Sequence, residues 1–241
     1  MTASRRPLDR RSGKTLRAPV ILERLLATYD GGVVELDWST PFELLVATVL
    51  SAQSTDRKVN ELTPALFARY PDPAAVVAAD PADLEAQIYQ TGFYRQKAKS
   101  LQAMSAALLE RHGGQVPRTM AELTALPGVA RKTANVVLSA ADPEAHTADP
   151  EAGIAVDTHV GRLSRRFGFT RETDAVKVER DLMRLLPKEH WSSASLCIIL
   201  HGRRVCDARR PRCADCVVED LCPSSLVAGC RDKAGQATGL G

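Results

Sequence analysis

Four cysteines fall within seventeen residues near the C-terminal end, Cys206, Cys213, Cys216 and Cys222, in the spacing C-x6-C-x2-C-x5-C. That density calls for a metal. Thiolates are soft ligands, and one compact loop carrying four of them suits tetrahedral zinc or an iron–sulfur cluster better than two disulfides in a chain without a secretory signal. Zinc sites usually have two separated C-x-x-C knuckles and this chain has one, so ligand chemistry leaves both metals open with the cluster ahead. The loop is also basic. Arg203, Arg204, Arg209, Arg210 and Arg212 lie beside or among the cysteines.

Almost every periodic segment elsewhere is helical. Thr40-Pro41-Phe42-Glu43 places a capping Thr, a Pro at the first helical position and a Glu three residues on, opening the apolar run Leu44 to Leu50. The patterns predict helices near 19–30, 41–52, 56–70, 73–79, 81–90, 94–112, 119–125, 130–141, 158–167, 173–186 and 190–204, with Pro or Gly between many of them. No segment alternates with period two, so the predicted fold class is all-α. At 241 residues and 44% hydrophobic, the chain suffices for one large domain or two small ones. The acidic stretch 141–153 reads as a hinge or surface loop. No apolar run approaches membrane-spanning length and the N-terminus lacks a signal-peptide core, which points to a reducing cytosol. The net charge is only +3, but residues 1–18 hold Arg5, Arg6, Arg10, Arg11, Lys14 and Arg17 against a lone Asp9, a flexible basic arm of the kind that touches nucleic acid. Residues 224–241 read as a flexible tail, with Cys230 outside the ligand spacing, and Cys197 reads as core.

A second strong feature is the run from Leu123 to Leu138, in which a helix stops at Pro127-Gly128, turns tightly and a new helix starts at once. The free amides and dipole of the new helix make an anion site, and phosphate is its natural occupant. This is a helix-hairpin-helix arrangement that grips a nucleic-acid backbone without reading bases. Lys132 falls in the first turn, where the positive end of the dipole disfavours a further cation and favours a neutral, nucleophilic amine. Asp157 precedes an amphipathic helix as an N-cap, and a carboxylate fixed there can also stabilise a cationic intermediate or assist proton transfer. His159 and His201 read as packing or hydrogen-bonding residues.

Leu126-Pro-Gly-Val-x-Arg-Lys-Thr-Ala-Asn-Val-Val-Leu138, Val156-Asp-Thr-His159 and Leu200-His-Gly-Arg203 leading into the cysteines closely resemble the endonuclease III family, the iron–sulfur branch of the helix-hairpin-helix DNA glycosylase superfamily. Ser39 to Leu45, Leu50 to Asp56, Gly92-Phe-Tyr94 and Lys97-Ala98 extend the similarity over roughly residues 19 to 223. The resemblance implies two helical lobes with a DNA cleft between them: residues 34–150 as a six-helix domain holding the hairpin, and 19–33 with 151–223 as the cluster domain. It implies a 4Fe-4S cluster on Cys206, Cys213, Cys216 and Cys222, Lys132 as nucleophile and Asp157 as catalytic carboxylate. It also implies that Gln53 and Phe93 fill the gap left by a flipped nucleotide. DNA contacts are expected from Leu126, Pro127, Gly128, Val129, Ala130 and Arg131, and from Arg203, Arg209 and Arg212.

The implied activity is that of a bifunctional DNA N-glycosylase and abasic-site lyase of base excision repair, monomeric, acting on double-stranded DNA with damaged bases or abasic sites in a bacterial cytoplasm at the nucleoid, with no membrane partner. Two residues depart from the family pattern. Ala130 replaces a second hairpin Gly and is accommodated if already helical, and Phe93 replaces an aliphatic wedge, with more area to stack. The acidic 141–153 loop is expected away from DNA. A pyrimidine-dimer or T:G mismatch glycosylase would use the same scaffold, and a non-catalytic iron–sulfur damage sensor is the alternative outside enzymology.

Overall fold

The computed structural model describes residues 8–227, so Arg5, Arg6, Cys230 and the predicted tail from 228 onward lie outside it. All regular structure among the described residues is helical. The chain divides into two compact units, Val34–Ala152 and a second made of Met1–Val33 with Gly153–Gly241. No helix among the described residues is long and apolar enough to cross a membrane.

The second unit begins with α1 (Lys14–Thr28), which corrects the expectation of a flexible arm reaching residue 18. Arg17 explains the difference. Its guanidinium is buried and donates to the carbonyls of Ser12, Phe167 and Leu221, each at 2.8 Å, so it acts as an internal strut. Burial holds its pKa below the ordinary value. Ile21, Leu22 and Leu25 follow on the buried face of the same helix.

Within Val34–Ala152, helix starts follow their capping chemistry. In α2 (Pro41–Ser51), the cap expected from the sequence forms, with Thr40 accepting from the Glu43 amide, while Glu43 Oε2 accepts from the Ser39 amide at 2.6 Å, one residue before the cap. The chain continues through α3 (Asp56–Arg69), α4 (Pro73–Ala78), α5 (Pro81–Ile88), α6 (Tyr94–His112), α7 (Met120–Thr124) and α8 (Arg131–Ala141). Asp72 and Asp80 cap α4 and α5, each with Pro at the first helical position. Leu44, Leu45 and Leu50 of α2 pack with Leu84, Leu101, Met104, Leu108 and Leu123 in one core. The predicted loop 141–153 is corrected in part, because it contains α9 (Pro143–Ala148). Two of its four acids are structural: Asp142 caps α9 and pairs with Arg118, and Asp149 accepts from the Met120 amide at 2.6 Å.

After Gly153 the chain returns to the unit that holds α1 and builds α10 (Thr158–Arg166), α11 (Ala175–Leu185) and α12 (Trp191–Arg204). The core joins Ile21 and Leu25 to Phe167, Phe169, Leu182 and Ile198. The cysteine segment follows α12 directly and holds two single-turn 3-10 helices, Cys213–Asp215 and Glu219–Leu221.

Candidate catalytic and metal-binding residues

The hairpin is built on a glycine that no other residue replaces without strain. Gly128 has φ +78°, and a Cβ there would stand 2.9 Å from Ser100 Cβ on α6. The Val129 amide donates to the Leu126 carbonyl at 3.2 Å, closing the turn. Ala130 then serves as N-cap of α8 with φ −83° and ψ 163°, extended rather than helical as the accommodation argument supposed. A negative φ needs no glycine, so alanine fits for a different reason than expected. Its side chain provides no cap, which leaves first-turn amides to meet an anion. Arg131 is fixed by a 2.8 Å bond from Nη2 to the Glu151 carbonyl, and Lys132 is exposed on the first turn. Gly128→Ala is expected to lower stability by about 1–3 kcal/mol, through its left-handed backbone and the Ser100 contact. Calorimetry checks this, and an unchanged Tm would mean the hairpin shifts freely.

Seven residues before Ser100, Phe93 is the N-cap of the same helix α6, about 10 Å away along its axis. Phe93 has φ +58° and Gln53 has φ +55°, two of three non-glycine residues with positive φ among those described. Both line one open hollow with Ser54, Lys58, Tyr89 and Tyr94. Left-handed backbone at large side chains costs on the order of 1 kcal/mol each, and such strain gathers at functional sites. Phe93 is 68% exposed, which excludes a core role. Lys97, given no role from sequence, stabilises this arrangement. Its buried ammonium donates to the Leu50 carbonyl at the end of α2 at 2.7 Å and to Ser54 Oγ at 3.3 Å, with its pKa lowered by burial. Lys97 falls beside Ala98 on the stripe that buries Leu101, the one signal that could have found it.

In the other unit, Asp157 is the N-cap of α10, accepting from the Val160 amide at 2.8 Å. That bond uses Oδ1 and fixes the direction of the carboxylate. The Leu200-His-Gly-Arg motif also acquires a reason: a Cβ at Gly202 would lie 2.8 Å from His159 Nδ1, so glycine lets α10 approach α12. Arg162 Nη2 passes through that contact to the carbonyls of Gly202 and Cys206, both at 3.0 Å.

The four cysteines Cys206, Cys213, Cys216 and Cys222 line a single cavity. Burial first, and the neighbouring thiols after it, push Cys216 up to about 12, and burial does the same to Cys222 at about 11. Two buried thiols that resist ionising, in a cavity lined by four, fit a cationic metal centre, which removes that resistance. Arg166, also missed from sequence, binds the loop by donating to the carbonyls of Asp207 and Ala208 at 2.7 and 2.8 Å and to Cys206 Sγ at 3.1 Å. Arg203 and Arg209 are exposed, and Arg212 donates to the Arg204 carbonyl within the loop. Val34–Ala152 therefore carries Gln53, Phe93 and Leu126 through Lys132, while Asp157, the loop arginines and the cysteines belong to the other unit.

A family model for HhH-GPD superfamily base excision DNA repair proteins matches residues 46–188. Endonuclease III of Synechocystis sp. is 50% identical over 218 residues, 90% of this chain and 97% of that protein. The Escherichia coli endonuclease III is 42% identical over 202 residues, 84% of this chain and 92% of that protein. Among solved structures, a trapped endonuclease III–DNA covalent intermediate superposes with a TM-score of 0.82 at 40% identity, covering 89% of this chain and 98% of that one. The chain thus belongs to the HhH-GPD superfamily of base excision DNA repair proteins and, within it, to the endonuclease III family of DNA glycosylases and abasic-site lyases.

Proposed function

We propose that this DNA glycosylase removes oxidised pyrimidines from double-stranded DNA and nicks the resulting abasic site, using Lys132 as nucleophile. The observation that supports this most is the exposed Lys132 on the first turn of α8, directly after the hairpin, in a chain 40% identical to a protein trapped covalently on DNA. The target nucleotide leaves the stack, because C1′ cannot be reached inside a duplex. Phe93 and Gln53 take the vacated place, where the aromatic ring replaces lost stacking at about 1–3 kcal/mol.

The nitrogen lone pair of Lys132 then bonds to C1′ while the glycosidic bond breaks and its electron pair departs with the base. Opening of the sugar gives a protonated Schiff base on Lys132. Loss of a proton from C2′ sends electrons through to C3′, the C3′–O bond breaks with the phosphate as leaving group, and water releases the lysine. Asp157 stabilises the positive charge on the sugar and assists the proton transfers. Amides at the start of α8 and the side chains of Arg203, Arg209 and Arg212 hold phosphates, which positions the duplex without reading its sequence.

Cys206, Cys213, Cys216 and Cys222 would hold a 4Fe-4S cluster, whose contribution when bound is to keep the basic loop in shape. Its support is that the four thiols line one cavity, in the spacing that resembles the endonuclease III family. A cluster accepts thiolates at its separate corners. The enzyme acts as a monomer in the cytoplasm, at the nucleoid.

Single-turnover excision on duplexes containing thymine glycol, dihydrouracil, 8-oxoguanine, a cyclobutane dimer or a T:G pair tests the substrate. Faster excision of thymine glycol and dihydrouracil is the expected result. Preference for the dimer or T:G would assign the chain to those lesions instead, and no excision at all with intact DNA binding would make it a damage sensor.

A further inference from the structure

His201 reaches a predicted metal ligand without being one. It lies in the last turn of α12, 1% exposed, with Nε2 3.3 Å from Cys216 Sγ. Its Nδ1 is 2.8 Å from the hydroxyl of Tyr29, which follows α1 and is also buried, with the two rings edge to face at 5.9 Å. A metal-bound thiolate can only accept a hydrogen bond. A proton on His201 Nε2 meets it, and Nδ1 then accepts from the Tyr29 hydroxyl. The opposite tautomer would set a ring lone pair against the sulfur, so the sulfur and Tyr29 together select one arrangement.

We propose that His201, oriented by Tyr29, is a positioning residue that donates an N–H···S hydrogen bond to Cys216 and so makes the bound cluster harder to oxidise and slower to shed iron. The inference rests on the four-cysteine reading above. A hydrogen bond to a ligand sulfur withdraws electron density from it, which favours the reduced cluster and raises its potential. Arg166 does something similar at Cys206, but it also binds three loop carbonyls, so its removal would disturb the loop fold. The His201 side chain contacts the cysteine loop through a sulfur, and its backbone carbonyl, which accepts from the Cys206 amide at 2.7 Å, is kept in every side-chain variant, which makes it the cleaner probe.

The test compares purified holoprotein of the unaltered chain with Tyr29→Phe, His201→Phe and His201→Gln. Voltammetry gives the cluster potential, and decay of the cluster absorbance under air with an iron chelator gives the rate of loss. His201→Phe is expected to lower the potential and lose iron about tenfold faster, the scale of effect that outer-shell ligand partners show. Tyr29→Phe keeps the ring and removes only the hydroxyl, so it remains informative if His201→Phe fails to fold, and it should shift both readouts in the same direction. His201→Gln keeps an amide donor of similar reach and should restore most of the loss. Folded variants with unaltered potential and decay rate overturn the proposal alone. An unaltered protein that binds no iron overturns the four-cysteine reading and this inference with it.

Discussion

Lys132→Gln is expected to bind a lesion duplex with near-normal affinity, give no adduct with borohydride and lose excision by roughly 10³-fold or more. The separation between binding and chemistry follows from position. Lys132 is exposed on the first turn of α8, so its side chain supports no core packing, and glutamine is a good helix former. The hairpin's stability resides in Gly128 and Ser100, which the substitution leaves alone. Melting should therefore move by less than about 0.5 kcal/mol, the usual range for a surface change. A normal borohydride adduct from this variant would place the nucleophile on another amine.

Asp157→Asn should slow base excision by about 100-fold while leaving the melting curve near that of the unaltered protein. Asp157 does two things separable by chemistry. Its Oδ1 accepts from the Val160 amide, which asparagine's carbonyl oxygen does equally well. Its negative charge is what asparagine lacks. Single-turnover kinetics beside thermal melting distinguishes the two roles: an equal rate would reduce Asp157 to a cap, and a large fall in Tm would show that the charge itself supports α10.

Much of this architecture was legible because helix starts are local chemistry. Thr40, Asp72 and Asp80 before Pro41, Pro73 and Pro81 announce helices, and the chain makes them there. Asp142-Pro143 is the same signature, yet the acidic, turn-prone residues around it read as a loop, and α9 went unpredicted. Arg17 was beyond reach for another reason. Two of its three carbonyl partners lie 150 and 204 residues further along the chain, and no local pattern encodes them. The left-handed backbone at Gln53 and Phe93 is equally silent, since neither residue type favours it. Lys132, Asp157 and the cysteines could be nominated from sequence because each belongs to a compact motif. Lys97, which supports the Gln53 and Phe93 hollow, and Arg166 and His201, which reach the cysteine segment, act across tertiary contacts that no motif encodes.

The bond from Arg17 to the Leu221 carbonyl, with 204 residues between donor and acceptor, has a consequence during synthesis. At about 5–20 residues per second, a ribosome needs on the order of 10 s or more to deliver that acceptor. Val34–Ala152 is contiguous and can fold as it emerges, whereas α1 must wait with Ile21, Leu22 and Leu25 unpartnered. A message truncated before α10 to α12 would leave that apolar stripe exposed, and a nascent chain in that state is a natural client for chaperones or proteases.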